Sequence, residues 1–157
     1  MKAASLKELK TELETLMPAQ VLDLCMHLAK YKKENKELLT YLMFEAQDEK
    51  TFIKDVKAEI DEMFLDVNRT IVYQAKKTVR KILRTTKKYI KYSGSKQTEV
   101  ELLIYFCKKL KSSKIPLTPN TALGNLQFAQ VQKIVKSLST LHEDLQHDYT
   151  EEMRDLL

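Results

Sequence analysis

Residues 69–95 read RTIVYQAKKTVRKILRTTKKYIKYSGS. A helix advances about 100° per residue. With Lys76 as origin, Ile71, Ala75, Val79, Ile82, Leu83 and Ile90 fall between roughly 220° and 340°. Lys76, Lys77, Arg80, Lys81, Arg84, Lys87, Lys88 and Lys91 fall on the opposite arc, from about 0° to 140°. Strand alternation would scatter both groups over two faces. The segment is therefore a helix with an apolar face for a core and a cationic stripe opposite. Tyr73 lies within the stripe, and Ser93-Gly94-Ser95 supplies the stop.

The same reading extends along the chain. It has 157 residues, 43% of them apolar, with only 2 Gly and 3 Pro. A sandwich or barrel needs more turn residues than that. The expected fold is all-α, with six or seven helices in an antiparallel bundle or a short superhelix of helical hairpins. The length suits one domain over residues 1–157, or at most two small ones.

Ser5-Leu6-Lys7-Glu8 is a capping box that opens the first helix. Leu6, Leu9, Leu13 and Leu16 give its stripe, and Pro18 opens the second helix, with Val21, Leu24, Cys25, Leu28 and Tyr31. Lys32–Asn35 is a polar break before a short third helix. Asp48 caps a fourth, which carries Phe52, Ile53, Val56, Ile60, Met63, Phe64 and Val67.

No Gly or Pro occurs between Ala19 and Ser93. One helix over 49–92 would be about 66 Å long, against a domain diameter of roughly 30–40 Å, so a break is placed at Asp66-Val67-Asn68. After Ser95 come a helix with Val100, Leu103, Ile104, Cys107 and Leu110, then a loop with two prolines over 112–120. Thr118-Pro119 would cap one short turn ended by Gly124. A final helix of about 30 residues runs from near Phe128 to Met153. Leu13, Leu24, Leu28, Ile60, Phe64, Val79, Ile82, Leu103, Ile104, Val135 and Leu138 are the expected core.

The first 45 residues resemble the start of an uncharacterised family of small all-helical bacterial proteins. The likeness is carried by Leu6-x-x-Leu9-Lys10-x-Glu12-Leu13-x-x-Leu16, then Pro18-x-Gln20-Val21-Leu22-x-Leu24, then Asn35-Lys36-Glu37-x-Leu39 with Tyr41 and Leu42. It covers under a third of the chain. It implies a small helical fold, and it implies no functional residues, because that family has no assigned activity. Helix-turn-helix nucleic-acid modules can also begin L-x-x-L-K-x-E-L, but they turn on a glycine, and here Met17-Pro18-Ala19 stands in that place.

The N-terminus lacks the apolar stretch of a signal peptide, and no window reaches the 18 or so apolar residues of a membrane span. The expected location is the cytoplasm, without membrane attachment, and Cys25 and Cys107 are expected to be buried thiols. No C-x-x-C, phosphate-binding glycine loop or G-x-S-x-G elbow is present.

His142 and His147 are five apart, which is not the H-E-x-x-H spacing of zinc proteases. Asp144-x-x-His147 and Glu59-x-x-Glu62 lack the second Glu-x-x-His that a di-metal bundle needs. His27 is a boundary residue near the second helix's stripe. No catalytic residue, metal, cofactor or small-molecule substrate is expected, and the chain reads as non-enzymatic.

Charge carries the one functional signal. Residues 69–116 hold 14 basic and 2 acidic side chains, while 1–68 are net −4 and 117–157 net −3. No acid lies between Arg69 and Lys96. Lys77/Lys81, Lys76/Arg80, Arg80/Arg84 and Arg84/Lys88 are like-charge i, i+4 pairs, each unfavourable by about 0.2–0.5 kcal/mol. A solvated lysine face is the plainest reading, yet a purely structural helix would intersperse glutamates.

The functional expectation is an interaction module. Its partner is an acidic protein surface, either foreign or the chain's own in self-association. The alternative is a nucleic-acid-binding protein using the basic helix at 69–96. Lysine outnumbers arginine on the stripe, which suits diffuse phosphate contact more than base reading. A membrane surface is set aside because the apolar face belongs to the core.

Overall fold

The computed structural model describes residues 1–156, all-helical and without a strand among them. Eight α-helices lie among the described residues, where six or seven are expected from the sequence. Two compact units compose the chain, Met1–Phe44 and Glu45–Leu157.

The first unit holds α1 (Leu6–Glu14), α2 (Pro18–Tyr31) and α3 (Lys33–Thr40), followed by a π turn at Tyr41–Glu45. Ser5 and Glu8 form the predicted capping box, and Pro18 stands at the start of α2. The break before α3 is a single extended residue, Lys32. Asn35 sits inside α3 and donates from Nδ2 to the Leu28 carbonyl at 2.8 Å, satisfying a free acceptor near the C-terminus of α2.

No residue of α1, α2 or α3 is buried. Leu13, Leu24 and Leu28, expected in the core, are exposed. So is Cys25, expected to be a buried thiol. The physical reason is size: helices of 9, 14 and 8 residues present apolar stripes but too little surface to cover one another.

The second unit holds α4 (Glu49–Leu65), α5 (Val72–Ser93), α6 (Lys96–Ser112), α7 (Ala122–Leu138) and α8 (Glu143–Glu152), then a 3₁₀ turn at Arg154–Leu156. The break between α4 and α5 falls where Asp66-Val67-Asn68 predicts it. Asn68 Oδ1 accepts from the backbone N–H of Thr70 at 2.9 Å and of Ile71 at 3.0 Å, which turns the chain and serves the start of α5. Gly94 ends α5 at φ 67°, in the left-handed region that glycine enters without a Cβ penalty.

Helix α6 is the centre of this unit and packs against α4, α5, α7 and α8. From Val100 to Leu110 its apolar residues cover about half of the helix circumference, a face wide enough to meet several neighbours, while Glu101, Tyr105, Lys108 and Lys109 line the other side. Accordingly Leu102 and Phe106 are buried together with the predicted Val100, Leu103, Ile104, Cys107 and Leu110. Lys57 pairs with Glu101, and Asp61 accepts from Tyr105. Both partners advance together by four residues, so α4 and α6 run in the same direction.

The long final helix is two helices. Ser139 closes α7, Thr140 Oγ1 donates to the Ser137 carbonyl at 2.7 Å, and His142 caps α8. These polar groups satisfy the helix ends that an unbroken helix would not have had. Gly124, expected to end a short turn, lies instead in the first turn of α7, and its N–H donates to the capping Thr121 Oγ1 at 3.1 Å.

The inner face of α7 is also shifted. Val135 and Phe128 are exposed, while Leu123, Gln130, Val131, Ile134, Ser137 and Leu138 face inward. Ser137 donates to Glu99 on α6 at 2.8 Å, so a polar network helps set the rotation of α7 alongside its apolar stripe. Ile60, Phe64, Val79, Ile82, Leu103, Ile104 and Leu138 are buried as expected.

Candidate functional site

The predicted apolar arc of α5 is buried at Ala75, Val79, Ile82, Leu83 and Ile90. Thr86 joins them, with its hydroxyl donating to the Ile82 carbonyl at 3.0 Å, the usual way a helical threonine satisfies itself in a core. Ile71 precedes the helix and is exposed. Burial of this arc aims the opposite one at solvent.

The eight stripe residues divide in two. Lys77, Arg80, Lys81, Arg84 and Lys91 are exposed, whereas Lys76, Lys87 and Lys88 are half-buried at the flanks. Lys88 Nζ lies over the rings of Tyr89 at 4.9 Å and Tyr92 at 6.0 Å. Burial lowers the pKa of Lys87, with the Lys133 charge adding to the effect and Glu99 opposing it. Tyr73 is 76% exposed beside the exposed cations.

Four other cations of this unit are paired across helices. Lys57 pairs with Glu101 at 2.5 Å, Lys109 with Asp61 at 2.8 Å, Lys108 with Glu152 at 3.0 Å, and Lys133 with Glu99 at 2.7 Å. Lys96 reaches the other oxygen of Glu99 at 2.8 Å. Burial pushes the Glu99 carboxyl up, but hydrogen bonds from Lys133, Lys96 and Ser137 outweigh it and hold its pKa at about 2. Among the described residues, the five exposed cations of α5 have no such carboxylate partner.

The histidines and carboxylates weighed as metal ligands serve local structure. His142 caps α8 and lies 3.4 Å from Asp144, and His147 lies 3.8 Å from Asp148, all of them exposed. Glu59 accepts from the Tyr89 hydroxyl at 2.6 Å. No three His, Cys, Asp or Glu side chains converge among the described residues. Burial pushes the Cys107 thiol up to about 12, which makes it a poor nucleophile. No described helix is long and apolar enough to cross a membrane.

A second surface escapes a reading of the residues alone. The first unit leaves Leu6, Leu9, Met17, Leu22, Met26, Tyr31, Leu42, Met43 and Phe44 exposed, besides the leucines already named. Its signal is the brevity of α1 and α3, which cannot bury stripes of that density. No family model, curated protein or solved structure matches the chain.

Proposed function

We propose that this protein is a non-enzymatic helical interaction module that docks an acidic protein surface against the exposed cations of α5. One observation carries the reading. Among the described residues, Lys77, Arg80, Lys81, Arg84 and Lys91 stand exposed and unpaired on a helix where they repel one another, while Lys57, Lys108, Lys109 and Lys133 of the same unit are paired across helices. An acidic partner relieves that repulsion and is drawn in by the field of the stripe. The second unit serves as the frame, a bundle around α6, in a protein of the cytoplasm.

Nucleic acid is the second reading, favoured by Tyr73 among the cations and by the length of the stripe. Residues 76–91 extend about 23 Å along the helix axis, room for several phosphate contacts. Purification from cells with and without nuclease separates the two. A partner retained after nuclease, released by salt and lost with Arg80→Gln/Arg84→Gln supports an acidic protein. Loss on nuclease treatment selects nucleic acid. If the double variant retains every partner, the stripe is not the interface.

A further inference from the structure

The first unit carries uncovered leucines at the spacing of a coiled-coil seam. Leu6, Leu9 and Leu13 on α1 follow the 3-4 spacing of successive a and d positions, and the half-buried Leu16 lies just beyond the helix end. Leu6 is 86% exposed, Leu9 47% and Leu13 43%. The same unit also has a groove between α2 and α3, lined by Cys25, Leu28, Leu38, Leu39, Leu42 and Asn35. Its polar member, Asn35, already spends its amide on the Leu28 carbonyl. An isolated nine-residue helix is too short to hold itself in water. Its leucines need a cover.

The exposed area sets the scale of that cover. Twelve large apolar side chains of residues 6–44 are exposed. At roughly 150–200 Å² each they leave on the order of 1,000 Å² of apolar surface open per chain. A standard interface needs about 800 Å² from each partner, so the open apolar surface of the unit as a whole is of the order one interface requires.

Charge points to the occupant. Residues 1–44 carry seven basic and six acidic side chains, so two copies of this unit, each at net +1, meet with little repulsion. Within the unit the signs are opposed, since α1 has three acids to two bases and residues 18–40 have four bases to three acids. A seam and a groove on one chain allow reciprocal, two-fold pairing. We infer that residues 1–44 form a homodimerisation module, in which the leucine seam of α1 from one copy lies in the α2–α3 groove of a second copy. This surface is separate from the α5 stripe and does not rest on the function proposed for it.

Sedimentation equilibrium on the full chain, from low to high micromolar concentration, tests the inference. The expected result is a dimer mass for the native chain and a monomer for Leu9→Glu/Leu13→Glu, with the cooperative unfolding of the second unit retained. Arg80→Gln/Arg84→Gln should remain dimeric, which keeps this test apart from that of the stripe. Cys25, in the groove, gives a readout that needs no variant: its labelling by a thiol reagent should slow at least several-fold as concentration rises through the dimer transition. A native chain that stays monomeric overturns the inference, as does a dimer untouched by the leucine changes. Cys25 protected equally at every dilution in a chain that sediments as a monomer would show the chain covering its own groove, which also overturns it.

Discussion

Lys133 on α7 places its ammonium 2.7 Å from the carboxylate of Glu99 on α6, and Glu99 is almost fully buried. Lys96 and Ser137 reach the same carboxylate at 2.8 Å each. The charge is thus held by three donors from two helices, which is what makes its burial tolerable. The cluster pins α7 to the central helix and also lies close enough to Lys87 to moderate its charge.

Glu99 gives the fold a pH dependence with a definite sign. Its folded pKa of about 2 lies below the ordinary 4.5. The stabilisation is therefore complete above about 4.5 and is lost as pH falls toward about 2. Denaturant unfolding across that range should show a loss of at most about 3 kcal/mol from this group. Glu99→Gln should flatten the curve there and cost about 1–3 kcal/mol near neutral pH.

Arg80→Gln/Arg84→Gln removes repulsion without touching the core, because both side chains are exposed. The free protein should gain a few tenths of a kcal/mol for each like-charge pair removed, measured as a raised denaturant midpoint. A loss above about 1 kcal/mol would mark the stripe as a structural partner of the chain's own acids. If the stripe meets nucleic acid, the same variant should flatten the salt dependence by up to about 0.9 in log–log slope per lost phosphate contact.

The two thiols should separate cleanly. Cys25 is exposed, whereas Cys107 is buried with its pKa raised to about 12. A thiol reagent at neutral pH should label Cys25 in the dilute, folded single chain. Cys107 should label only as the second unit unfolds, so its rate should follow denaturant concentration.

Two backbone positions around the loop after α6 should respond in opposite directions. Lys114 has φ 60°, a left-handed conformation that a side chain disfavours, and it directly follows the residue that closes α6. Lys114→Gly should stabilise by about 0.5–1 kcal/mol. At Gly124 an added Cβ would run into the Thr118 carbonyl oxygen, so Gly124→Ala should lower the melting temperature. A neutral result at Gly124 would mean that the 118–121 turn yields easily.

Local chemistry along the chain dictates the helical class, the Ser5 and Asp48 caps, the breaks at Pro18, Asn68 and Gly94, and the two-faced character of α5. Each follows from propensity, capping or a 3.6-residue period, and these act over a few neighbouring residues. The stripe residues are legible for the same reason, since a helical wheel needs no tertiary knowledge.

Which apolar stripes become covered is a matter of long-range packing. Leu13 on α1 and Ile60 on α4 both belong to apolar helical stripes of the same period. Leu13 is nevertheless exposed and Ile60 buried, because only the second unit has a helix like α6 to pack on. Packing also turns α7 on Ser137 and Ile134 rather than Val135, and leaves Arg80 facing solvent while Lys133 meets Glu99. Those outcomes depend on partners distant in the chain, and a local period carries no information about which partner a face will meet.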